Sequence, residues 1–298
     1  MKWQGRRQSS NVDDRRGQGG SGQGFGGFNA GLLGPLIKIL FSKVGLFIVG
    51  GFIVVSLIMG KNPLSLISQL LGGGVPNESS TPYQPSAEDE ELAQFSATIL
   101  ANTEDVWNKL LENYREPTLV LFTGSVSSAC GSASSATGPF YCPGDEKLYI
   151  DLSFFDDMER QLNAPGDFAQ AYVIAHEVGH HIQKISGTTD KMNRLRGQVS
   201  QTEYNKYSVM LELQADFLAG VWAHHSQQMT KMMETGDLQE AMNAANAIGD
   251  DRLQKQSNGR VVPDSFTHGT SEQRMRWFKK GFETGDLSQG DTFSASSL

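Results

Sequence analysis

The sequence has no surplus of basic residues, since 25 lysines and arginines stand against 33 aspartates and glutamates among 298 residues. The net charge of −8 argues against a partner with a phosphate backbone, so we expect no binding to nucleic acid. Cysteine is also scarce, because the chain has only Cys130 and Cys142, in a segment rich in Gly, Ser, Ala and Thr. In an oxidising compartment this pair predicts one disulfide that closes a loop with little core of its own. A role as zinc ligands is the alternative.

Long hydrophobic runs are absent except for one, from Leu36 to Met59, which only Lys38 and Lys43 interrupt. It begins too far along the chain, and lacks the small-residue cleavage site, for a typical signal peptide. We therefore predict an uncleaved membrane anchor over residues 35–60, the alternative being a buried core helix. The basic flank before the run predicts a single-pass protein of the inner membrane, with a cytoplasmic N-terminus and an extracytoplasmic, periplasmic catalytic domain.

Residues 176–180 read HEVGH, within a stretch from Asp167 to Ile185 whose apolar residues recur at helical spacing. Two histidines four residues apart lie on one face of a helix, with about 5–6 Å between their Cβ atoms. Both imidazoles can then bind one Zn²⁺, and Glu177 can take a proton from a water molecule beside it. The motif predicts His176 and His180 as zinc ligands and Glu177 as the catalytic base. Ordinary histidines on a partly buried helix are the alternative, and His181, on another face, is expected to be a bystander.

A third ligand is expected on a second predicted helix, which carries the sequence ELQAD at residues 212–216. Glu212 and Asp216 are again four residues apart, so both can face the first helix. We assign Glu212 as the third zinc ligand. Asp216 then accepts the N–H of a ligand histidine and fixes its tautomer. Two surface carboxylates on a solvated helix face are the alternative.

HEVGH followed by ELQAD resembles the Glu-zincin metallopeptidases, in which a glutamate from an ExxAD helix completes the HExxH zinc site. With the segments at residues 130–131, 138–143 and 268–274, most of the chain resembles a bacterial, membrane-anchored family of neutral zinc metallopeptidases. The resemblance implies zinc as the cofactor, a peptidase-type site, a peptide or protein substrate and the ligand role of Glu212.

The resemblance also indicates a role for His268. The stretch from Thr267 to Arg274 is similar to the HPxxxxR segment of related membrane metallopeptidases, although Gly269 stands where that pattern has proline. This implies that His268 is catalytic and stabilises the oxyanion that develops on the substrate. A structural histidine in a loop is the alternative.

In the metallopeptidases that this chain resembles, the sheet edge nearest the zinc binds the peptide as an added strand. Residues 148–151, just before the HExxH helix, are the candidate for that edge. Main-chain hydrogen bonds along such an edge give affinity that tolerates many sequences. An ordinary core strand is the alternative.

Composition and pattern divide the chain into four regions. We predict a disordered Gly-rich cytoplasmic tail over residues 1–34, the anchor over 35–60, a linker over 61–86 and the zinc metallopeptidase domain over 87–290. Strands are predicted at residues 119–122 and 148–151, among a larger number of helices. The fold class is therefore α+β, a mainly helical zincin-like domain with a small sheet, preceded by one transmembrane helix.

Together these features predict a membrane-anchored zinc metalloendopeptidase that hydrolyses peptide bonds in the bacterial cell envelope. Two alternatives from other classes are a zinc hydrolase of another envelope amide or ester, and a non-catalytic envelope adaptor with a structural zinc site. An intact Glu177 argues against the adaptor, because a structural site has no need of a base. The sequence predicts no oligomeric state.

Overall fold

The computed structural model describes residues 1–18 and 83–298. Residues 1–18 and 84–298 fold together as one compact unit, which extends beyond the predicted domain limits of 87 and 290 at both ends. The predicted anchor at residues 35–60, and most of the predicted linker at 61–86, lie outside the described residues. None of the helices within residues 1–18 and 83–298 combines the length and the hydropathy of a membrane-spanning helix.

Eight α-helices and six β-strands make up the described part of the chain. The helices are α1 (Ala87–Leu110), α2 (Ser153–Arg160), α3 (Asp167–Ile185), α4 (Thr188–Leu195), α5 (Gln201–Thr230), α6 (Asp237–Ala247), α7 (Asp250–Asn258) and α8 (Ser271–Thr284). The strands are β1 (Val12–Asp14), β2 (Thr118–Phe122), β3 (Ser125–Ser128), β4 (Gly131–Ser134), β5 (Phe140–Cys142) and β6 (Lys147–Asp151). The mainly helical α+β class is confirmed, as are the predicted strands at 119–122 and 148–151.

The main sheet has four strands in the order β1-β2-β6-β5, with β1, β2 and β6 parallel and β5 antiparallel to β6. Alternate residues of β2 and β6 point to opposite faces, so Leu119 and Ile150 join the main helical core while Val120 and Tyr149 join a smaller cluster. The short β3–β4 hairpin covers that smaller cluster through Val126. Because β6 lies inside the sheet, the prediction that residues 148–151 form its edge is wrong; the edge strands are β1 and β5.

Three of the helices, α1, α5 and α8, begin at side chains that accept a free N–H group of the first turn. Ser86 caps α1 by accepting the N–H of Asp89, and Ser200 caps α5 in the same way through Glu203. Helices α3 and α5 approach closely at Gly179, where an added Cβ would lie 3.0 Å from the carbonyl oxygen of Ala215. A glycine at this position therefore permits the close approach of the two backbones. This contact brings the HEVGH and ELQAD segments face to face.

Residues 1–18, called here the N-terminal segment, are an ordered part of the domain. Strand β1 pairs with β2, and the Trp3 ring packs edge-on against Phe95 of α1 with ring centroids 5.4 Å apart. Arg7 donates to the buried carboxylate of Glu104 at 3.0 Å. The prediction of a disordered tail is therefore wrong over these eighteen residues. The segment is ordered by partners distant in sequence, and glycine-rich composition does not reveal such partners.

The pairing of β1 with β2 bears on the predicted membrane topology. Residues 12–14 and 118–122 are hydrogen-bonded neighbours in one sheet, so they lie on the same side of any membrane. The predicted topology put the N-terminus in the cytoplasm and the catalytic domain outside it, and a domain folded in this way cannot satisfy both. The N-terminal segment therefore lies on the same side of any membrane as the rest of the domain.

Candidate metal centre

The predicted metal ligands converge between α3 and α5. His176 and His180 project from one face of α3, and Glu212 projects from α5 toward them. Glu212 Oε2 lies 3.2 Å from His176 Nε2 and 3.5 Å from His180 Nε2. Donor atoms that share one tetrahedral zinc ion at about 2.0–2.1 Å are about 3.3 Å apart, so the spacing suits that ion.

Each imidazole is oriented by a hydrogen bond at its other nitrogen. His176 Nδ1 donates to Asp216 Oδ1 at 2.8 Å, and His180 Nδ1 donates to Gln183 Oε1 at 2.8 Å. A neutral imidazole that donates at Nδ1 presents a lone pair at Nε2, which is the form that binds a metal. The residues present therefore fit a zinc ion. Asp216 lies where the sequence predicted it, whereas Gln183 was not identified.

Asp216 is the centre of a buried polar network. Arg274, from α8, donates to both of its carboxylate oxygens, from Nε at 2.8 Å and from Nη2 at 2.9 Å. The Tyr172 hydroxyl, one turn before His176, donates to the same carboxylate. Burial raises the pKa of Asp216, but the charges of Arg274 and His176 outweigh it and hold that pKa at about 2. Asp216 is therefore a carboxylate at neutral pH and a fixed acceptor for His176. The sequence did not reveal Tyr172, because its position fits an ordinary core residue.

The electrostatics of the ligand set favour a cation. Burial opposes protonation of His176, but the carboxylates of Asp216 and Glu212 prevail and raise its pKa to about 9. Burial likewise opposes ionisation of Glu212, yet His180 and His176 hold its pKa well below the ordinary value. Two carboxylates thus stabilise positive charge at the imidazoles. A divalent metal can supply that charge in place of protons, since metal binding displaces protons from its ligands.

The ligand set opens into a cavity of about 440 Å³. Glu177 lines this cavity beside His176 and His180, and its side chain is largely buried, with the residue 8% exposed. Within residues 1–18 and 83–298, no side chain or backbone group donates a hydrogen bond to the Glu177 carboxylate. Its oxygens are therefore available to a group inside the cavity, as a base requires. The cavity lining also includes Gly138, Phe140 and other apolar residues from the region around β5 and α7.

His268 lies in the same cavity wall but forms no hydrogen bond with the three predicted ligands within the described residues. Its side chain is half exposed, and its Nδ1 lies 3.2 Å from Asp250 Oδ1. That hydrogen bond raises the pKa of His268. Asp250 also accepts the backbone N–H groups of Thr267, His268 and Gly269, so it shapes the whole loop. The sequence did not identify Asp250.

Gly269 explains why the chain departs from the HPxxxxR pattern. Its φ is +94°, a backbone conformation that proline, with φ fixed near −65°, cannot adopt. An added Cβ would also come within 3.1 Å of Val209. The loop around His268 is therefore built on glycine and has its own geometry.

His181 lies outside the ligand set, as the sequence predicted, but it has a structural role. It is fully buried, with Nε2 at 2.6 Å from the carbonyl oxygen of Arg115 and Nδ1 at 3.1 Å from the Tyr141 hydroxyl. It takes no part in the ligand set, but it links α3 to β5. Cys130 and Cys142 form the predicted disulfide, which ends at β5 and leaves neither cysteine free to bind zinc.

Comparison with known proteins agrees with this site. Residues 1–293 match the family model described as "Putative neutral zinc metallopeptidase". The chain is 50% identical over 300 residues to the uncharacterized protein YpfJ of Escherichia coli K12, covering 99% of this chain and 100% of that one. It is 38% identical over 259 residues to the uncharacterized protein Rv2575 of Mycobacterium tuberculosis H37Rv, covering 82% of this chain and 86% of that one. No solved structure matches. The chain therefore belongs to the neutral zinc metallopeptidase family.

Proposed function

We propose that this protein is a zinc-dependent endopeptidase that hydrolyses peptide bonds in the bacterial cell envelope. The observation that carries the proposal is Glu177, whose carboxylate has no hydrogen-bond partner among the described residues and which lines the cavity next to the ligand set. A carboxylate without such a partner can accept a proton from a molecule inside the cavity. A general base needs an available carboxylate in this position, whereas a structural metal site does not.

His176, His180 and Glu212 would hold the zinc ion. When bound, zinc supplies a Lewis acid that polarises the scissile carbonyl and makes a water molecule easier to deprotonate. Glu177 accepts the proton of the attacking water and then delivers it to the leaving amine nitrogen. Asp216 keeps His176 in its Nδ1–H tautomer throughout, and Arg274 keeps Asp216 ionised.

His268 is proposed to act later in the same step. It borders the cavity, and Asp250 favours its protonated form. A protonated imidazole at the cavity wall can stabilise the negative charge that develops on the carbonyl oxygen. The role is secondary to that of Glu177, because the imidazole is half exposed and water screens its charge.

We also propose that the domain is extracytoplasmic and attached to the inner membrane. The Cys130–Cys142 disulfide supports export, since such bonds persist in oxidising compartments. The hydrophobic run at residues 36–59 supports attachment to the membrane. Because β1 belongs to the catalytic domain, the proposal places the N-terminal segment outside the cytoplasm together with that domain.

This topology can be tested with single cysteines at two exposed positions, Gln8→Cys in the N-terminal segment and Glu283→Cys in α8. A membrane-impermeant thiol reagent added to intact cells should label both. If only one position is labelled, the N-terminal segment and α8 do not lie on the same side of the membrane. If neither position is labelled in intact cells but both are labelled after lysis, the domain is not exported.

The catalytic proposal is tested with the full chain, loaded with zinc, against an unbiased peptide library. Wild type should contain about one zinc ion per chain and cleave peptides, and Glu177→Gln should keep the zinc while losing about 10²–10⁴ in rate. The variant preserves size and the three ligands, so unchanged zinc content is the internal control. Equal cleavage by Glu177→Gln would refute the role of Glu177. Zinc binding without cleavage of any peptide would favour a non-catalytic envelope adaptor with a structural zinc site. Cleavage of other envelope amides or esters, without cleavage of peptides, would favour a zinc hydrolase of another class.

A further inference from the structure

The sheet edge that faces the metal cavity is β5. It is the last strand of the main sheet and pairs only with β6 among the described residues. Phe140 and Tyr141 of β5 line the cavity together with His176 and Glu177. An edge strand carries N–H and C=O groups that no neighbouring strand uses, and an extended peptide can pair with them. The position of β5 relative to the ligands therefore decides where a bound peptide would lie.

A strand of three residues is too short to hold its own position, and β5 is held by three side-chain links. Cys142 is joined to Cys130 by the disulfide. Phe140 stacks on Tyr149 of β6 with ring centroids 4.8 Å apart. Both of these links tie β5 to the sheet or to its loop. Of the three, only the hydrogen bond from the Tyr141 hydroxyl to His181, at 3.1 Å, connects β5 with the metal-binding helix α3.

The chemistry of His181 sets the direction of this hydrogen bond. Its Nε2 lies 2.6 Å from the Arg115 carbonyl oxygen, which can only accept, so the ring proton is on Nε2. Nδ1 of the neutral ring is then an acceptor, and the Tyr141 hydroxyl must donate to it. His181 follows the ligand His180 directly in α3, so its backbone moves with the metal-binding turn. The hydrogen bond thus fixes the position of β5 relative to the metal-binding residues of α3.

We propose that Tyr141 and His181 are positioning residues that hold β5 in the place where an added peptide strand presents its scissile carbonyl to the metal ligands. This inference rests on the proposed peptidase function and assigns the substrate-binding edge to β5. Neither residue touches the reacting atoms. Loosening the link should therefore weaken the binding of substrate and transition state equally, which raises KM and leaves kcat unchanged.

The test is Tyr141→Phe, measured in the full, zinc-loaded chain with a peptide that wild type cleaves. The variant keeps the ring, which packs edge-on against His181 at 5.5 Å between centroids, and removes only the hydrogen bond. One neutral hydrogen bond is worth about 0.5–1.5 kcal/mol, so KM should rise roughly 3- to 10-fold. The zinc content should stay at about one per chain, and kcat should stay within about twofold of wild type.

Tyr114→Phe is the matched control. The Tyr114 ring also packs edge-on against His181, at 5.9 Å, but its buried hydroxyl has no hydrogen-bond partner among the described residues. Removing that hydroxyl should leave KM unchanged. An unchanged KM in Tyr141→Phe, or an equal rise in both variants, would overturn the proposal.

Peptide binding to the Glu177→Gln protein, with and without Tyr141→Phe, gives a measurement that does not depend on turnover. The dissociation constant should rise by the same roughly 3- to 10-fold when the hydroxyl is removed. If the Glu177→Gln protein binds no peptide and wild type cleaves none, the proposed function and this inference both fail. If wild type binds and cleaves peptides but Tyr141→Phe changes neither KM nor the dissociation constant of the peptide, only the inference fails.

Discussion

The metal centre and the N-terminal segment are both ordered parts of one domain, yet only the metal centre can be recognised in the sequence. His176 and His180 are one helical turn apart, as are Glu212 and Asp216, so each pair is placed by the local geometry of a helix. The N-terminal segment is placed by Glu104, which accepts hydrogen bonds from residues 93 to 97 positions earlier in the chain.

This difference shows what sequence patterns can and cannot reveal. A period of 3.6 residues is repeated several times along a helix of 19 residues such as α3, and each repeat strengthens the prediction. Strand β1 has three residues, Val12, Asp13 and Asp14, which are too few to show alternation. The glycine-rich residues that follow them favoured disorder for the whole region. Order in such a segment depends on a partner strand that local composition does not specify.

The largest expected effect comes from deleting residues 1–18 from the full chain. The deletion removes β1 and the buried Trp3, and it leaves the core around Phe95 and Glu104 open to water. Loss of a buried tryptophan alone typically costs about 3–5 kcal/mol. In a domain of this size that lowers the melting temperature by roughly 10 °C. Zinc stoichiometry should stay near one per chain below the new melting temperature, because none of the proposed ligands is removed.

The control for this deletion is a synthetic peptide of residues 1–18, added to the truncated chain. It should restore part of the lost melting temperature, and the same peptide with Trp3→Ala and Arg7→Ala should not, because it lacks the contacts with Phe95 and Glu104. A truncated chain that melts at the wild-type temperature would contradict the structure described for the segment.

Within the metal centre, sequence patterns identified the residues on the two facing helix surfaces and missed those that support them. Glu177, Glu212 and Asp216 lie in the cavity or its network as spacing and resemblance indicated. Gln183 had a signal, since it is three residues after His180 on the same helix, but glutamines on helices are common. Tyr141 lies in the segment 138–143 that carries the family resemblance, but its contact with His181 could not be predicted, because a three-residue edge strand is recognisable only after the sheet is formed. The supporting contacts depend on tertiary structure and could not be derived from local spacing.

A smaller effect is expected from Gln183→Leu, which tests the part of the metal centre that the sequence did not show. The change removes the acceptor for His180 Nδ1, so the imidazole is no longer held in the tautomer that presents Nε2. The partners that orient metal-binding histidines are worth about 10- to 100-fold in affinity, and a neutral acceptor should lie at the low end, near 10-fold. The dissociation constant for zinc can be measured by competition with a chelator.

Gln170→Leu is the matched control for that change. Gln170 is on the same helix and undergoes the same substitution, but its side chain makes no hydrogen bond within the described residues. It should leave zinc affinity unaltered. Equal zinc affinity in wild type and Gln183→Leu would show that His180 needs no such partner.

The smallest effect is expected from Glu104→Gln, which tests how much the hydrogen bonds between Glu104 and the N-terminal segment stabilise the domain. In the full chain the Glu104 carboxylate is buried and accepts hydrogen bonds from Arg7, Ser9 and Asn11, all in the segment. Glutamine keeps the size but loses the charge that Arg7 pairs with, so unfolding should become easier by about 1 kcal/mol. In the chain without residues 1–18, the same carboxylate has lost these partners and faces water, so the substitution should be close to neutral. Denaturant unfolding of the four proteins gives the coupling energy directly, because the effects of independent sites would add. An equal loss in both backgrounds would mean that Glu104 acts through other contacts, and that the segment is bound more loosely than its hydrogen bonds indicate.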